Sequence, residues 1–231
     1  MSYNILLKVD DHTHQQFQNI VEKLNAGHKE SQAKPLGELL ANVACEVIDQ
    51  VFGDLLRKQS EQVSDDHGRK LAHDSEKVIH QILEAIKKYM PWAVSFFSNE
   101  RLTPLAHYLE TVVREKDGQY YVQYPVDNIL ISEALGCVDQ VRSGNTQYIS
   151  PAFKALTRIV DQGVTTLIRE PKKILKFNLI VDKTLNGVIN LSTQVGYKRL
   201  EKLGSQIDPD TANSYIDHFL IFLEDETKIA S

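Results

Sequence analysis

Residues 171–203 read PKKILKFNLIVDKTLNGVINLSTQVGYKRLEKL, and this stretch decides the fold class. Ile174, Val181, Val188 and Val195 recur every seven residues, and Phe177 and Leu191 half-fill the companion row. Such a row packs a helix against neighbours in a bundle, or against a second chain. Thr184 and Lys198 interrupt the companion row, which favours the bundle. The spacing predicts one helix from Pro171 or Lys172 to about Leu203. Asn186-Gly187 is its weak point, where another helix crosses closely or the axis kinks.

Helical spacing also governs the flanks. Leu36, Leu40, Val43, Val47 and Val51 line one face after Pro35, which suits a first helical turn. Ile79, Ile82, Leu83, Ile86 and Met90 line another, until Pro91 ends or kinks it. Thr103-Pro104 and Asp208-Pro209 each read as an N-cap followed by a first-turn proline. Gly118 reads as a helix stop. Further helices are expected over 125–142 and 151–169. Residues 119–124, Gln-Tyr-Tyr-Val-Gln-Tyr, read as extended and form a hairpin with 111–113 if that segment is not helical.

The expectation is an all-α bundle of seven to nine helices, with at most one short β-hairpin near 110–124. With 231 residues it forms a single helical domain. A subdivision would separate acidic helices over 1–118 from the helices over 125–231. The run Ile5-Leu6-Leu7 is too short for a signal peptide, and Phe219 to Leu223 is far short of a membrane span. Cys45 and Cys137 each sit alone in apolar helical patterns, as buried thiols do. A reduced, cytoplasmic protein follows from these features. Val47-Ile-Asp-Gln50, Cys137-Val-Asp-Gln140, Ile159-Val-Asp-Gln162 and Ile180-Val-Asp-Lys183 resemble one another but keep no fixed period. They read as similar amphipathic helices rather than as a repeat.

Charge is unevenly spread. Between Arg142 and Gly204 stand eleven Lys or Arg and four acids, so that segment is +7 in a chain of net −5. Arg169, Lys172, Lys173, Lys176 and Lys183 are the concentrated part and the candidate binding residues for an anion, either an acidic protein or a phospholipid surface. Lysines at a helix start oppose the helix dipole, which argues for a compensating partner. The competing reading is internal neutralisation by the acidic N-terminal half and by a tail carrying Asp208, Asp210, Asp217, Glu224, Asp225 and Glu226. Specific DNA is disfavoured by the acidic whole and the lack of a helix-turn-helix spacing.

Motifs for catalysis are sparse: there is no Gly-x-Ser-x-Gly, no phosphate loop and no Gly-x-Gly-x-x-Gly. Asp66, His73 and His80 stand seven apart on one helical face, with Glu76 between the histidines, a geometry suited to a transition metal. The stretch Leu71-Ala72-His73-Asp74-Ser75-Glu76-Lys77 resembles the His-Asp dyad of the all-helical HD-domain metal-dependent phosphohydrolases. That resemblance covers some seven residues, and Ser75-Glu76 stand where the family has small, flexible ones. It implies a divalent metal held by His73 and Asp74, with His28 or His14 upstream and Asp139 or Asp127 downstream. His80 is the further ligand that the helical face suggests.

The leading expectation is nevertheless a non-catalytic binding or scaffolding protein with no cofactor. Homo-oligomer contacts are expected through the apolar helices at 174–195 or 215–223. In the second, Tyr215, Phe219 and Phe222 share one face and Ile216, Leu220 and Leu223 another.

Overall fold

The computed structural model describes residues 2–53, 66–205 and 207–226. The fold is mainly helical, with a small four-stranded antiparallel sheet. In chain order the elements are β1 (Tyr3–Val9), α1 (Asp11–Asn25), α2 (Ala33–Ile48) running into a π-turn (Asp49–Gly53), α3 (Asp66–Val94) and α4 (Asn99–Val112). There follow β2 (Val113–Lys116), β3 (Gln119–Val126), α5 (Asn128–Arg142), and α6 (Ile149–Val164) with its own π-turn (Thr165–Arg169). The chain closes with α7 (Glu170–Leu175), α8 (Leu179–Gly204), α9 (Pro209–Leu220) and β4 (Leu223–Asp225).

Several local expectations are corrected. The long helix after Pro171 is two helices: Lys176 adopts φ 48°, outside the helical region, and Asn178 restarts the chain by accepting the backbone N–H of Ile180 and Val181. Arg101 fixes the break by donating to the Leu175 and Lys176 carbonyls. Ile174 and Val181 therefore lie on different helices, and the seven-residue row is not continuous. Gly118 does not stop a helix. With Asp117 it makes a two-residue turn in which both residues have positive φ, the type I′ geometry that matches the twist of a hairpin. The hairpin pairs β3 with 113–116 rather than 111–113. Pro91, expected to end or kink its helix, lies inside α3, which continues to Val94. Thr103-Pro104 lie inside α4, whose N-cap is Ser98. Asp208 does cap α9, accepting the N–H of Asp210 and Thr211.

Strands β1 and β4 have no counterpart in the helical spacing. Leu6 and Leu7 are buried strand residues, and β1 pairs with β4 through Tyr3↔Asp225, Asn4↔Glu224 and Ile5↔Leu223.

The element order repeats. Strand, helix, helix, π-turn, helix, helix, strand describes β1 to β2 and, with α7 as an extra turn, β3 to β4. Local chemistry repeats with it. Asp10 caps α1 and Asp127 caps α5, and the N–H of each is taken by a side chain at the same place in the next helix, Glu46 or Gln162. Helices α1 and α5 end alike: Gly27 N–H donates to Leu24 and His28 N–H to Lys23, as Gly144 does to Val141 and Asn145 to Gln140. Tyr3, Asn4 and Ile5 pair with Asp225, Glu224 and Leu223 in the register by which Tyr120, Tyr121 and Val122 pair with Glu115, Arg114 and Val113. Sheet order β2-β3-β1-β4 reads the same when the halves are exchanged. The chain is thus a structural duplication, at a spacing that the four similar tetrapeptides do not mark.

Packing obeys the same correspondence. A Cβ on Gly37 of α2 would stand 2.7 Å from Pro91 Cα of α3, and a Cβ on Gly204 of α8 would stand 2.7 Å from Phe153 Cβ of α6. Each half has a close helix crossing of this kind, with the glycine on opposite partners. Leu102, Leu105 and Ala106 of α4 are buried, as are Ala212, Tyr215 and Ile216 of α9.

By compactness the chain divides into two units. The first comprises Met1–Leu6, Gln123–Arg169 and Asn190–Ser231, and its buried residues include Val138, Phe153, Ile159, Tyr215, Ile216 and Phe219. The second comprises Leu7–Val122 and Glu170–Ile189, cored by Phe17, Val21, Leu36, Phe97, Leu102, Leu105 and Leu175.

Candidate functional site

The five basic residues singled out from sequence fall into two groups. Arg169 belongs to the first unit and is consumed there. It ends the second π-turn, donates to Thr165 Oγ1 at 2.7 Å and pairs with Asp161 at 2.8 Å. Tyr197 OH donates to the same Asp161 oxygen at 2.7 Å. Partial burial works to raise the Asp161 carboxyl, but the hydrogen bonds from Arg169 and Tyr197, with the guanidinium charge, hold it below its usual range. Burial and the Asp161 hydrogen bond push the Tyr197 phenol up, so it remains a donor.

The other four lie in the second unit. Lys172 of α7 reaches Asp182 of α8 at 2.5 Å, across the break at 176–178, and its side chain is only 17% exposed. Lys173 pairs with Glu170 at 2.6 Å, one turn back. Lys176 and Lys183 are exposed and make no ion pair among the described residues. They bracket Leu179 and Ile180, which are 81% and 76% exposed. The site therefore reduces to a short tip at the start of α8. Sequence reading found its lysines but missed its aliphatic pair, because inside one unbroken helix neither residue stands out. The helix break displays them, and Asn178, two residues after Lys176, was its readable signal.

Two of the six remaining basic residues of the segment are neutralised inside the chain. Arg142 pairs with Asp217 of α9 at 2.6 Å, and Arg158 with Glu133 of α5 at 2.7 Å.

The histidine set falls partly outside the described residues. The side chains of His73 and Asp74 lie outside them. His80 is exposed on α3 with Glu84 at 3.7 Å, and Asp139 is exposed on α5. Asp127 serves as the cap of α5. His14 stacks on Tyr120 at 3.4 Å, and burial lowers its pKa against the pull of Glu115 and Asp11. Among the described residues no three His, Cys, Asp or Glu side chains gather as a metal site.

The apolar helix at the C-terminus is largely spent on the interior of its unit. Tyr215, Ile216 and Phe219 are buried, and His218 is buried beside Phe222, whose ring it meets edge-on at 5.4 Å. Only Ile221 of that group is strongly exposed.

The chain matches no protein-family model, no curated protein and no solved structure. Among the described residues no helix is long and apolar enough to cross a membrane.

Proposed function

We propose that this chain is a non-catalytic helical binding protein that receives an anionic partner on residues 172–183. The observation that carries the reading is the pair Lys176 and Lys183, exposed and without an ion-pair partner among the described residues, the first in the helix break and the second just beyond it. Lys172 and Lys173 belong to the same surface but act first as internal partners of Asp182 and Glu170. An ammonium that no carboxylate among the described residues neutralises can receive a phosphate or carboxylate from outside.

The test uses two immobilised polyanionic probes, polyglutamate and vesicles containing phosphatidylserine. The wild-type chain is retained at low salt and released as salt is raised, because screening acts on exposed charges. Reversal at Lys176→Glu with Lys183→Glu abolishes retention. Lys154→Glu, at an exposed lysine of the first unit, leaves it in place. A wild-type chain that passes both probes at low salt overturns the reading, as does equal loss in the Lys154 variant.

A further inference from the structure

We infer that the anionic partner of this surface is a phospholipid bilayer, and that Leu179 and Ile180 enter its interfacial layer. The inference rests on the preceding reading of 172–183 as an anion-docking surface and specifies its partner.

The two side chains are held out by the residues around them. Val181, next in sequence, is buried, and so is Leu175 on the other side of the break. The Phe177 ring packs against Phe97, centroids 4.9 Å apart, and Arg101 ties down the carbonyls at 175 and 176. With the backbone anchored on both sides, Asn178 starts the new helix and places Leu179 and Ile180 at its first two positions, facing out. The tip is thus a fixed projection, with two adjacent aliphatic side chains above the surface.

Charge selects the partner. Asp182, the single acid between 176 and 183, is engaged by Lys172 at 2.5 Å, so among the described residues the tip presents two ammonium groups without an ion-pair partner and no unpaired carboxylate. A polyanion such as nucleic acid would satisfy the lysines and leave the aliphatic pair in water. An anionic bilayer satisfies both, with headgroup phosphates for Lys176 and Lys183 and the acyl boundary for Leu179 and Ile180. The same unit exposes Trp92 and Phe96, stacked edge-on at 5.2 Å beside Phe97 in sequence, and such aromatics favour the headgroup level.

The full-length chain is sedimented with vesicles of phosphatidylcholine alone or with added phosphatidylserine, and in parallel passed over polyglutamate. The expected result is sedimentation with the anionic vesicles alone. Leu179→Ser with Ile180→Ser weakens vesicle binding at least tenfold and leaves polyglutamate binding unchanged. In a Trp92→Phe background, which removes the one tryptophan, the emission of a Leu179→Trp variant moves to the blue on adding anionic vesicles. Polyglutamate binding without vesicle binding overturns the bilayer and spares the anion-docking surface, whereas failure of both probes removes both. Undiminished vesicle binding by the double serine variant, or an unshifted emission from the Leu179→Trp variant, overturns insertion.

Discussion

Asp161 and Arg169 stand 2.8 Å apart where α6 passes into its π-turn, and Tyr197 of α8 donates to the same carboxylate. The three side chains fasten this part of α8 to α6 within the first unit. Asp161 is 42% exposed, so solvent screens the pair and its contribution is modest. Asp161→Ala should cost about 1–2 kcal/mol at neutral pH. The sign with pH follows from the lowered carboxyl: the stabilisation is fully present above the unfolded pKa of about 3.9 and fades as pH falls through the lower folded value. Urea denaturation at several pH values should show the wild type and the alanine variant converging below about pH 4. A constant gap down to the acid transition would contradict the linkage.

Gly37 is the clearest packing constraint. With Pro91 Cα at 2.7 Å from its missing Cβ, the obstacle is backbone and cannot rotate away. Gly37→Ala should destabilise by about 1–3 kcal/mol despite alanine's better helix propensity. Gly187, with nothing within 4 Å, is the control: there alanine should stabilise by up to about 1 kcal/mol. Paired chemical denaturation curves decide it.

The duplication predicts tolerance to a change of connectivity. Asp117-Gly118 joins β2 to β3, and the corresponding junction lies between β4 and β1. There Glu226 N–H donates to the Ser2 carbonyl at 3.0 Å. A permutant that starts at Gln119, joins the C-terminal end to Ser2 through a short glycine linker and finishes at Lys116 should keep its helical circular dichroism and unfold cooperatively. Loss of cooperative unfolding would show that the two junctions are not equivalent.

Cys45 and Cys137 should react slowly. Burial raises both thiols above their usual value; at Cys45 nearby Lys87 only partly opposes this, and at Cys137 Glu133 adds to it. In native protein at pH 7 both should be modified by a thiol reagent well behind a free cysteine and catch up after unfolding. A fast native phase would identify a reactive thiol.

Much of the helical character was legible because it depends on apolar spacing that local sequence contains. The cap at Asp208 and the extended segment at 119–124 were legible from local residue types, the Asp-Pro pair and the run of tyrosine and valine. Strand β1 was not, because its partner β4 lies some two hundred residues away and three apolar residues carry no period. The duplication was hidden by substitution at equivalent places: Gly37 against Pro91 in one half answers to Phe153 against Gly204 in the other. Shape is kept while the residue types exchange sides. The basic segment was legible as composition, but which lysines are free depends on Asp182 lying within reach of Lys172, and that depends on the break at Lys176.

That difference between paired and free lysines makes the last prediction. Lys172 is 17% exposed and holds Asp182, so Lys172→Met removes a charge-assisted contact and leaves a half-exposed carboxylate beside an apolar chain. It should lower stability by about 1–2 kcal/mol. Lys183 is exposed with no ion pair among the described residues, so Lys183→Met should change stability by less than about 0.5 kcal/mol. On polyglutamate the causes differ. Lys183→Met weakens retention through direct loss of a contact, whereas Lys172→Met, under conditions where the chain stays folded, weakens it by releasing the Asp182 carboxylate beside the tip. Thermal melts and salt elution run on the same two variants separate the roles, and equal behaviour in both assays would mean that the Lys172–Asp182 pair does not persist in solution.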